Sequence, residues 1–270
     1  MGAGRIEVKD LKKVFSQEDG TELLVLEKLN FCVEGGTFTS IIGLSGCGKS
    51  TILNIIAEIE QPTSGEVRCY AADGSEAKMG YVFQTPRLLP WLNALDNIRL
   101  VHEDKSPDEA NELAKKCIRL VGLSEDTANK FPHQLSGGMQ QRIGIARAIS
   151  IEPDILLMDE PFSHLDAITA DILRTELLRI WRETRVTILF VTHDLSEAIF
   201  LSDRILMLTR NPAHVCKDLL VEVPRPRKID EPSFLTFMAK ATKEFHSIGT
   251  GVEPSIIKPE KRKHLLLLRG

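Results

Sequence analysis

Hydrophobic positions along the chain predict strands and helices in alternation, with a helical stretch in the middle. In residues 5–83 the apolar positions fall in short runs that favour strands, and one helical pattern follows Gly48. The strands predicted in this zone are 5–9, 31–33, 38–42, 65–70 and 80–83, and the helix is 51–58. The first zone is therefore predicted to be mainly β-sheet with a single loop and helix inserted.

Beyond this zone the strand signals fade and then return. Helices are predicted over 107–121 and 138–148, and the first has Ser106 as N-cap and Pro107 at its first position. The apolar runs from residue 154 onward are continuous, as expected when helices cover both faces of a parallel sheet. Here the pattern predicts strands at 155–158, 187–191 and 204–208 and a helix at 167–183. The chain is thus predicted to have an α/β fold with a helical insert at about 85–150.

The end of the chain shows a different pattern. The segment VPRPR at 223–227 interrupts the alternation, a last helix is predicted over 232–245, and the charged and apolar end at 258–270 is expected to be a mobile tail. We expect one main domain over residues 1–228 and a C-terminal helix and tail over 229–270.

Composition narrows the class of protein. The 270 residues are 43% hydrophobic and 27% charged, which is typical of a globular protein. The net charge of −4 lacks the basic excess of a nucleic-acid binder, so no nucleic-acid partner is expected. No run approaches the ~20 apolar residues that a membrane span needs, so the chain is not expected to cross a bilayer itself.

The segment GLSGCGKST at 43–51 fits the phosphate-loop pattern GxxxxGK[ST] between a predicted strand and a predicted helix. Glycines let backbone N–H groups approach phosphate oxygens, and the helix adds its positive N-terminal end. Lys49 is expected to reach the β- and γ-phosphates, and Ser50 to bind Mg²⁺. The alternative, an ordinary glycine-rich turn, does not account for the strand and helix on either side. The predicted nucleotide contacts are Gly43, Ser45, Gly46, Cys47, Gly48, Lys49, Ser50 and Thr51.

Two carboxylates follow the apolar strand at 155–158. Asp159 and Glu160 would lie at the carboxyl end of a central strand, where open α/β sheets bind their ligands. Asp159 is predicted to hold Mg²⁺ through water, and Glu160 to act as the general base that polarises the attacking water. Together with a phosphate loop, this pair indicates hydrolysis of a bound nucleotide with Mg²⁺ as cofactor.

A second anion-binding helix end is predicted at LSGGM, residues 135–139. Ser136 is placed as N-cap, and Gly137 and Gly138 leave backbone N–H groups uncovered. On its own the motif would more often be a capped helix after a flexible turn. Because one complete phosphate cradle is already present, the second is expected to serve a nucleotide bound by another copy of the chain, which predicts a homodimer.

The whole series of motifs resembles that of the ATP-binding-cassette (ABC) ATPases over about residues 5–225. Each motif occurs once and in the family's order: GLSGCGKST, YVFQ, LSGGMQQR, LLMDEP, FSHLD and VTHD. The resemblance implies a P-loop NTPase (RecA-like) core with an antiparallel β subdomain and an inserted α-helical subdomain.

Further roles are implied by this resemblance. Gln84 matches the glutamine that senses Mg²⁺ and the γ-phosphate, and His193 matches the histidine that contacts the γ-phosphate and orients the water with Glu160. Asp166 matches the last acid of a loop that crosses to the partner subunit. The family often has Ala where this chain has His164, which leaves the geometry of that loop open.

Two aromatic residues have alternative interpretations. Phe15 is the candidate for stacking on the adenine, and its alternative role is in the core. Trp91 follows Gln84 in a proline-bounded loop, where it would either anchor the core of the helical insert or line a groove that receives a short permease helix.

Two short segments resemble those of the nitrate, sulfonate and taurine importer ATPases: LLPWLN at 88–93 and VPRPR at 223–227. The resemblance implies an importer ATPase at the cytoplasmic face of the plasma membrane, serving a small anionic solute such as nitrate, sulfonate, taurine or bicarbonate. Its implied partners are a second copy of itself, transmembrane permease subunits and, indirectly, a periplasmic or lipoprotein solute-binding protein. Two alternatives are a soluble cassette ATPase that acts on nucleic acid or in assembly, and a phosphate-loop kinase. A kinase would share Lys49 and Ser50 but not LSGGM or His193.

Overall fold

The computed structural model describes residues 2–210 and 212–249. Its strands are β1 (Arg5–Ser16), β2 (Glu22–Val33), β3 (Phe38–Ile42), β4 (Ser64–Tyr70), β5 (Met79–Val82), β6 (Ile155–Asp159), β7 (Thr187–Thr192), β8 (Arg204–Leu208) and β9 (Val215–Leu220). Its α-helices are α1 (Lys49–Ile56), α2 (Ala94–Arg99), α3 (Pro107–Leu120), α4 (Gly137–Ser150), α5 (Ala167–Thr184), α6 (Leu195–Leu201) and α7 (Pro232–Gly249). None of these helices is long and apolar enough to span a membrane.

The strands form two sheets. A central sheet has the order β5-β6-β7-β3-β8-β9, parallel except for the antiparallel pair β8 and β9. A smaller antiparallel sheet has the order β2-β1-β4. Every residue of β3, β6 and β7 is buried, because helices or the second sheet cover both faces of the central sheet. The α/β core with an antiparallel subdomain is confirmed.

The helical insert lies between β5 and β6 and contains α2, α3 and α4. Ser106 caps α3 and Pro107 occupies its first position, as the sequence predicts, and Glu109 completes a capping box with Ser106. The insert joins the central sheet through an apolar cluster in which the Phe38 ring lies 6.1 Å from Trp181 and 5.9 Å from Phe190. Because residues of α2, α3 and α4 belong to the same cluster, the insert and the central sheet share one hydrophobic core.

Some predicted boundaries differ from the structure. The helix after the glycine-rich loop begins at Lys49 rather than at residue 51, because the left-handed backbone of Gly48 ends the loop directly before it. The short elements α2, α6 and β9 were not predicted, since elements of six or seven residues carry little periodic signal. The predicted last helix is confirmed and ends later, at Gly249. The mobile tail expected at 258–270 lies outside the described residues.

The segment after β9 is fixed to the core by the buried side chain of Arg227. Arg227 is only 7% exposed and donates hydrogen bonds to the carbonyls of Ile199 and Ser202, at 2.6 and 2.7 Å, where α6 ends. Burial, together with the nearby charge of Arg225, lowers the pKa of Arg227 to about 10, so it remains charged at neutral pH. The arginine therefore satisfies carbonyls that the end of α6 leaves unpaired.

Replacing Arg227 with Met should lower the free energy of unfolding by about 2–3 kcal/mol, because buried carbonyls at the end of α6 lose their donor. Urea denaturation measures this as a lower midpoint with an unchanged slope. The exposed Arg210→Met is the matched control, and equal midpoints for the two variants would contradict the anchoring role.

Candidate functional site

The loop at residues 43–48 joins the end of β3 to the start of α1. Glycine is required at Gly48, where φ is 98° and an added Cβ would lie 2.8 Å from Val25 Cγ1. It is also required at Gly43, where a Cβ would lie 2.5 Å from Cys47 Sγ. The predicted loop is therefore wound closely against its own side chains and the antiparallel sheet, with α1 directly behind it.

Lys49 is held as a fixed charge beside this loop. Its side chain is 5% exposed, and Nζ donates to the carbonyls of Gly43 and Leu44 at 3.0 and 3.2 Å. The same Nζ lies 3.6 Å from Glu160 Oε1. The ammonium thus connects the phosphate-type loop to the acidic end of β6.

Ser50 and Asp159 provide neighbouring oxygen ligands. Ser50 Oγ donates to Asp159 Oδ1 at 3.0 Å. Burial raises the pKa of Asp159, and the hydrogen bond from Ser50 opposes that shift. Mg²⁺ prefers oxygen ligands and is commonly held by one or two carboxylates together with substrate phosphates, which matches this donor set. Among the described residues, no group of three or more His, Cys, Asp and Glu side chains could hold a metal ion.

The carboxylate of Glu160 lies between the ammonium of Lys49 and the imidazole of His193. Its Oε1 faces Lys49, and its Oε2 lies 2.8 Å from His193 Nδ1. Glu160 has a left-handed backbone, with φ of 41°, and its N–H donates to the Val191 carbonyl at 2.9 Å. A strained backbone held by the next strand is often found at functional residues. Glu160 is therefore aimed by β6 and β7 together.

Gln84 joins this group through a residue that the sequence did not single out. Gln84 Nε2 donates to Ser163 Oγ at 3.2 Å, and Ser163 Oγ donates to the Glu160 carbonyl at 3.0 Å. Ser163 lies in the FSHLD segment, so its place in that motif was the available signal. The structure thus brings together Lys49, Ser50, Gln84, Asp159, Glu160 and His193, all of which the sequence predicted as site residues.

The second predicted cradle lies at the start of α4. Ser136 caps the helix, with Oγ accepting from the Met139 N–H at 3.3 Å, and Ser136 and Gly137 are exposed. A Cβ on Gly138 would lie 2.3 Å from Thr169 Cγ2, so glycine allows α4 to pack against α5. Within the described part of the chain, no hydrogen bond joins residues 136–138 to residues 43–51.

The remaining predicted residues are located as follows. Asp166 caps α5, and hydrogen bonds from the Thr169 backbone and hydroxyl lower its pKa. His164 is exposed in the same loop. The half-buried Phe15 ring packs against the cluster of the antiparallel sheet, with Lys13 Nζ 4.6 Å from its centroid. Trp91 is 69% exposed, so its interpretation as a core anchor of the insert is wrong.

Comparison with known proteins gives consistent results. The family model described as ABC transporter matches residues 26–163. A nitrate import ATP-binding protein, NrtD of Synechococcus elongatus, is 44% identical over 81% of this chain and 83% of its own length. A bicarbonate transport ATP-binding protein, CmpD of Synechocystis sp., is 42% identical over 83% of this chain and 82% of its own length.

A solved structure shows the same fold. The ATP-binding cassette MJ0796, in a dimeric post-hydrolysis state bound to ADP and Pi, superposes with a TM-score of 0.71 at 32% identity, covering 81% of this chain and 100% of that one. The family match and the structural likeness agree with the order of the motifs and with the fold. The chain belongs to the ABC transporter family and is one of its ATP-hydrolysing subunits, with ATP and Mg²⁺ as cofactors.

Proposed function

We propose that the residues around Glu160 form the hydrolytic half of an ATP site that a second copy completes. The observation that carries this proposal is the position of the Glu160 carboxylate, 3.6 Å from Lys49 Nζ and 2.8 Å from His193 Nδ1 at the end of the phosphate-type loop. Backbone N–H groups of residues 43–51 hold the phosphates, and Lys49 places its charge on the β- and γ-phosphates. Phe15 stacks on the adenine.

Each polar group then has a separate task. Ser50 and Asp159 would hold Mg²⁺, and Gln84 would sense this ion and the γ-phosphate. The ion, when bound, neutralises charge that develops on the phosphate oxygens. Glu160 accepts the proton of the attacking water, and His193 contacts the γ-phosphate and keeps the carboxylate oriented through Nδ1. Ser163 supports both Gln84 and the Glu160 backbone.

A second copy supplies the other wall. The exposed start of α4 has uncovered N–H groups and the positive end of a helix dipole, and it forms no hydrogen bond with the loop of its own chain within the described residues. We infer that Ser136, Gly137 and Gly138 close over the γ-phosphate bound by a partner, and that Asp166 contacts that partner. Contacts to the bound ATP then supply most of the binding energy between the two chains.

The transport system is proposed to be an importer of a small anionic solute, in the class of nitrate, sulfonate, taurine or bicarbonate. Relatives named for nitrate import and bicarbonate transport support this class and favour it over a soluble, non-transport cassette. The chain is then peripheral at the cytoplasmic face of the membrane, bound to permease subunits that receive solute from a periplasmic or lipoprotein binding protein. Within the chain, residues 1–228 are proposed as the ATPase domain and 229–270 as an added helix and tail.

The exposed indole of Trp91 is proposed as a contact for the permease. Trp91 follows the segment at 84–87, and Arg147 of α4 donates to the carbonyls of Pro86 and Arg87 at 2.8 and 3.0 Å. A displacement of Trp91 would therefore move a segment that contains Gln84 and is hydrogen-bonded to α4, the helix of the second cradle. This arrangement connects the membrane partner to the nucleotide.

The role division between Lys49 and His193 predicts different defects. Lys49→Ala should abolish ATP binding or nearly so, because it removes the fixed charge over the phosphates. His193→Ala should keep binding and lower turnover by about 100-fold. Equilibrium binding of labelled ATP and steady-state phosphate release measure the two effects, and equal loss of binding in both variants would refute the division.

The composite site predicts that hydrolysis limits the lifetime of the dimer. Glu160→Gln keeps the size of the side chain but removes its capacity as a base, so the variant with ATP should elute as a homodimer, and with ADP as a monomer. Adding Ser136→Arg should return it to monomer, because a bulky side chain blocks the helix end. Light scattering decides this, and a dimer indifferent to Ser136→Arg would exclude the second cradle.

The coupling role predicts a selective defect for Trp91→Ala. Transport and permease-stimulated hydrolysis should fall at least about fivefold, while basal hydrolysis and the thermal midpoint stay unchanged, since the indole is exposed. Leu235→Ala, which truncates a 54% exposed side chain on α7, is the matched control and should change none of these rates. A parallel fall in basal hydrolysis would contradict the coupling role.

A further inference from the structure

A buried ion pair lies beneath His193. Glu197, on α6, is 8% exposed, and its Oε1 accepts from Arg174 Nη2 of α5 at 2.7 Å. Its Oε2 accepts from Thr192 Oγ1, also at 2.7 Å. Burial opposes the charge of Arg174, but hydrogen bonds and charges from Glu197 and Asp171 outweigh it and raise the pKa of Arg174. Through these hydrogen bonds the pair links α5, α6 and the end of β7.

The same contacts fix the backbone on both sides of His193. Thr192, directly before it, donates its hydroxyl proton to Glu197, and the Thr192 oxygen accepts from the Asp194 N–H at 3.0 Å. Asp194, directly after it, caps α6 by accepting from the backbone of Ser196 at 2.7 Å. The His193 side chain is itself 59% exposed. Its direction therefore depends on its backbone, not on packing around the ring.

Arg174 also reaches the segment that carries Glu160. Its guanidinium lies 5.9 Å from the centroid of Phe162, two residues after Glu160, and the Phe162 ring is 5.7 Å from that of Phe190 in β7. One arginine therefore contacts both the segment after Glu160 and the helix after His193. A buried ion pair adds little net stability, because apolar residues of similar volume are often equally stabilising.

We propose that Arg174 and Glu197 are positioning residues for ATP hydrolysis, whose ion pair holds the backbone around His193 and so keeps its imidazole against the Glu160 carboxylate. The inference rests on the proposed roles of Glu160 and His193. Because Asp166, in the loop expected to contact the partner, is the N-cap of α5, the pair also offers a physical link from that loop to His193.

The test measures turnover, the KM for ATP and thermal stability for Arg174→Met and Glu197→Gln. Each should lower kcat by about tenfold or more, since small displacements of a catalytic group are costly, and leave KM within about twofold. Arg182→Met, on the exposed side of the same helix, is the matched control and should keep parental turnover.

Two combinations separate positioning from a purely structural role. In the double variant Arg174→Met with Glu197→Gln no unpaired buried charge remains, because Asp171, the other partner of Arg174, is exposed to solvent. The thermal midpoint should therefore recover while kcat stays low. In a His193→Ala background, Arg174→Met should lower kcat by less than about twofold, because the imidazole that it positions is gone. Recovery of kcat together with stability, or losses that multiply with His193→Ala, would overturn the proposal. Parental turnover in His193→Ala alone would instead overturn the proposed function, and this inference with it.

Discussion

The order of three neighbouring strands, β6-β7-β3, is the constraint on which the rest of the site depends. Parallel pairing places Asp159 beside Val191 and Ile42 beside Thr192, so all three strands end at one edge of the sheet. Asp159 is the last residue of β6, and Glu160, His193 and the phosphate-type loop directly follow the ends of β6, β7 and β3. A shift of register by one residue would turn the side chains to the other face and separate Glu160 from His193.

Concentrating charge at this edge has an energetic cost that the surrounding structure offsets. Lys49 and Asp159 are buried, and Glu160 has a left-handed backbone. Each is held by a partner: backbone carbonyls for Lys49, the Ser50 hydroxyl for Asp159, and the Val191 carbonyl for the Glu160 N–H. Burial raises the pKa of Asp159, so its carboxylate is not fully compensated by protein groups. This is the electrostatic environment expected of a group prepared for a cation.

Much of the fold and of the candidate site could be predicted from the sequence, for identifiable reasons. Continuous apolar runs marked the buried strands β6 and β7, and the motifs located Lys49, Glu160 and His193, since each lies within a few residues of an element end. Ser163 and Glu197 were missed because their roles arise from contacts across the fold, with Gln84 and with Arg174. The exposure of Trp91 was undetermined because an aromatic residue in a proline-bounded loop fits either a core or a surface. The helix α6 was not predicted because its seven residues make only about two turns, too few for a periodic hydrophobic pattern.

The central claim is that one chain holds only half of a working site. Turnover per subunit measured against subunit concentration at saturating ATP, with light scattering on the same samples, tests it most directly. The account predicts that turnover per subunit rises with concentration in proportion to the fraction of dimer and levels off where the dimer is complete. Full turnover in dilute samples that scatter as monomers would contradict it.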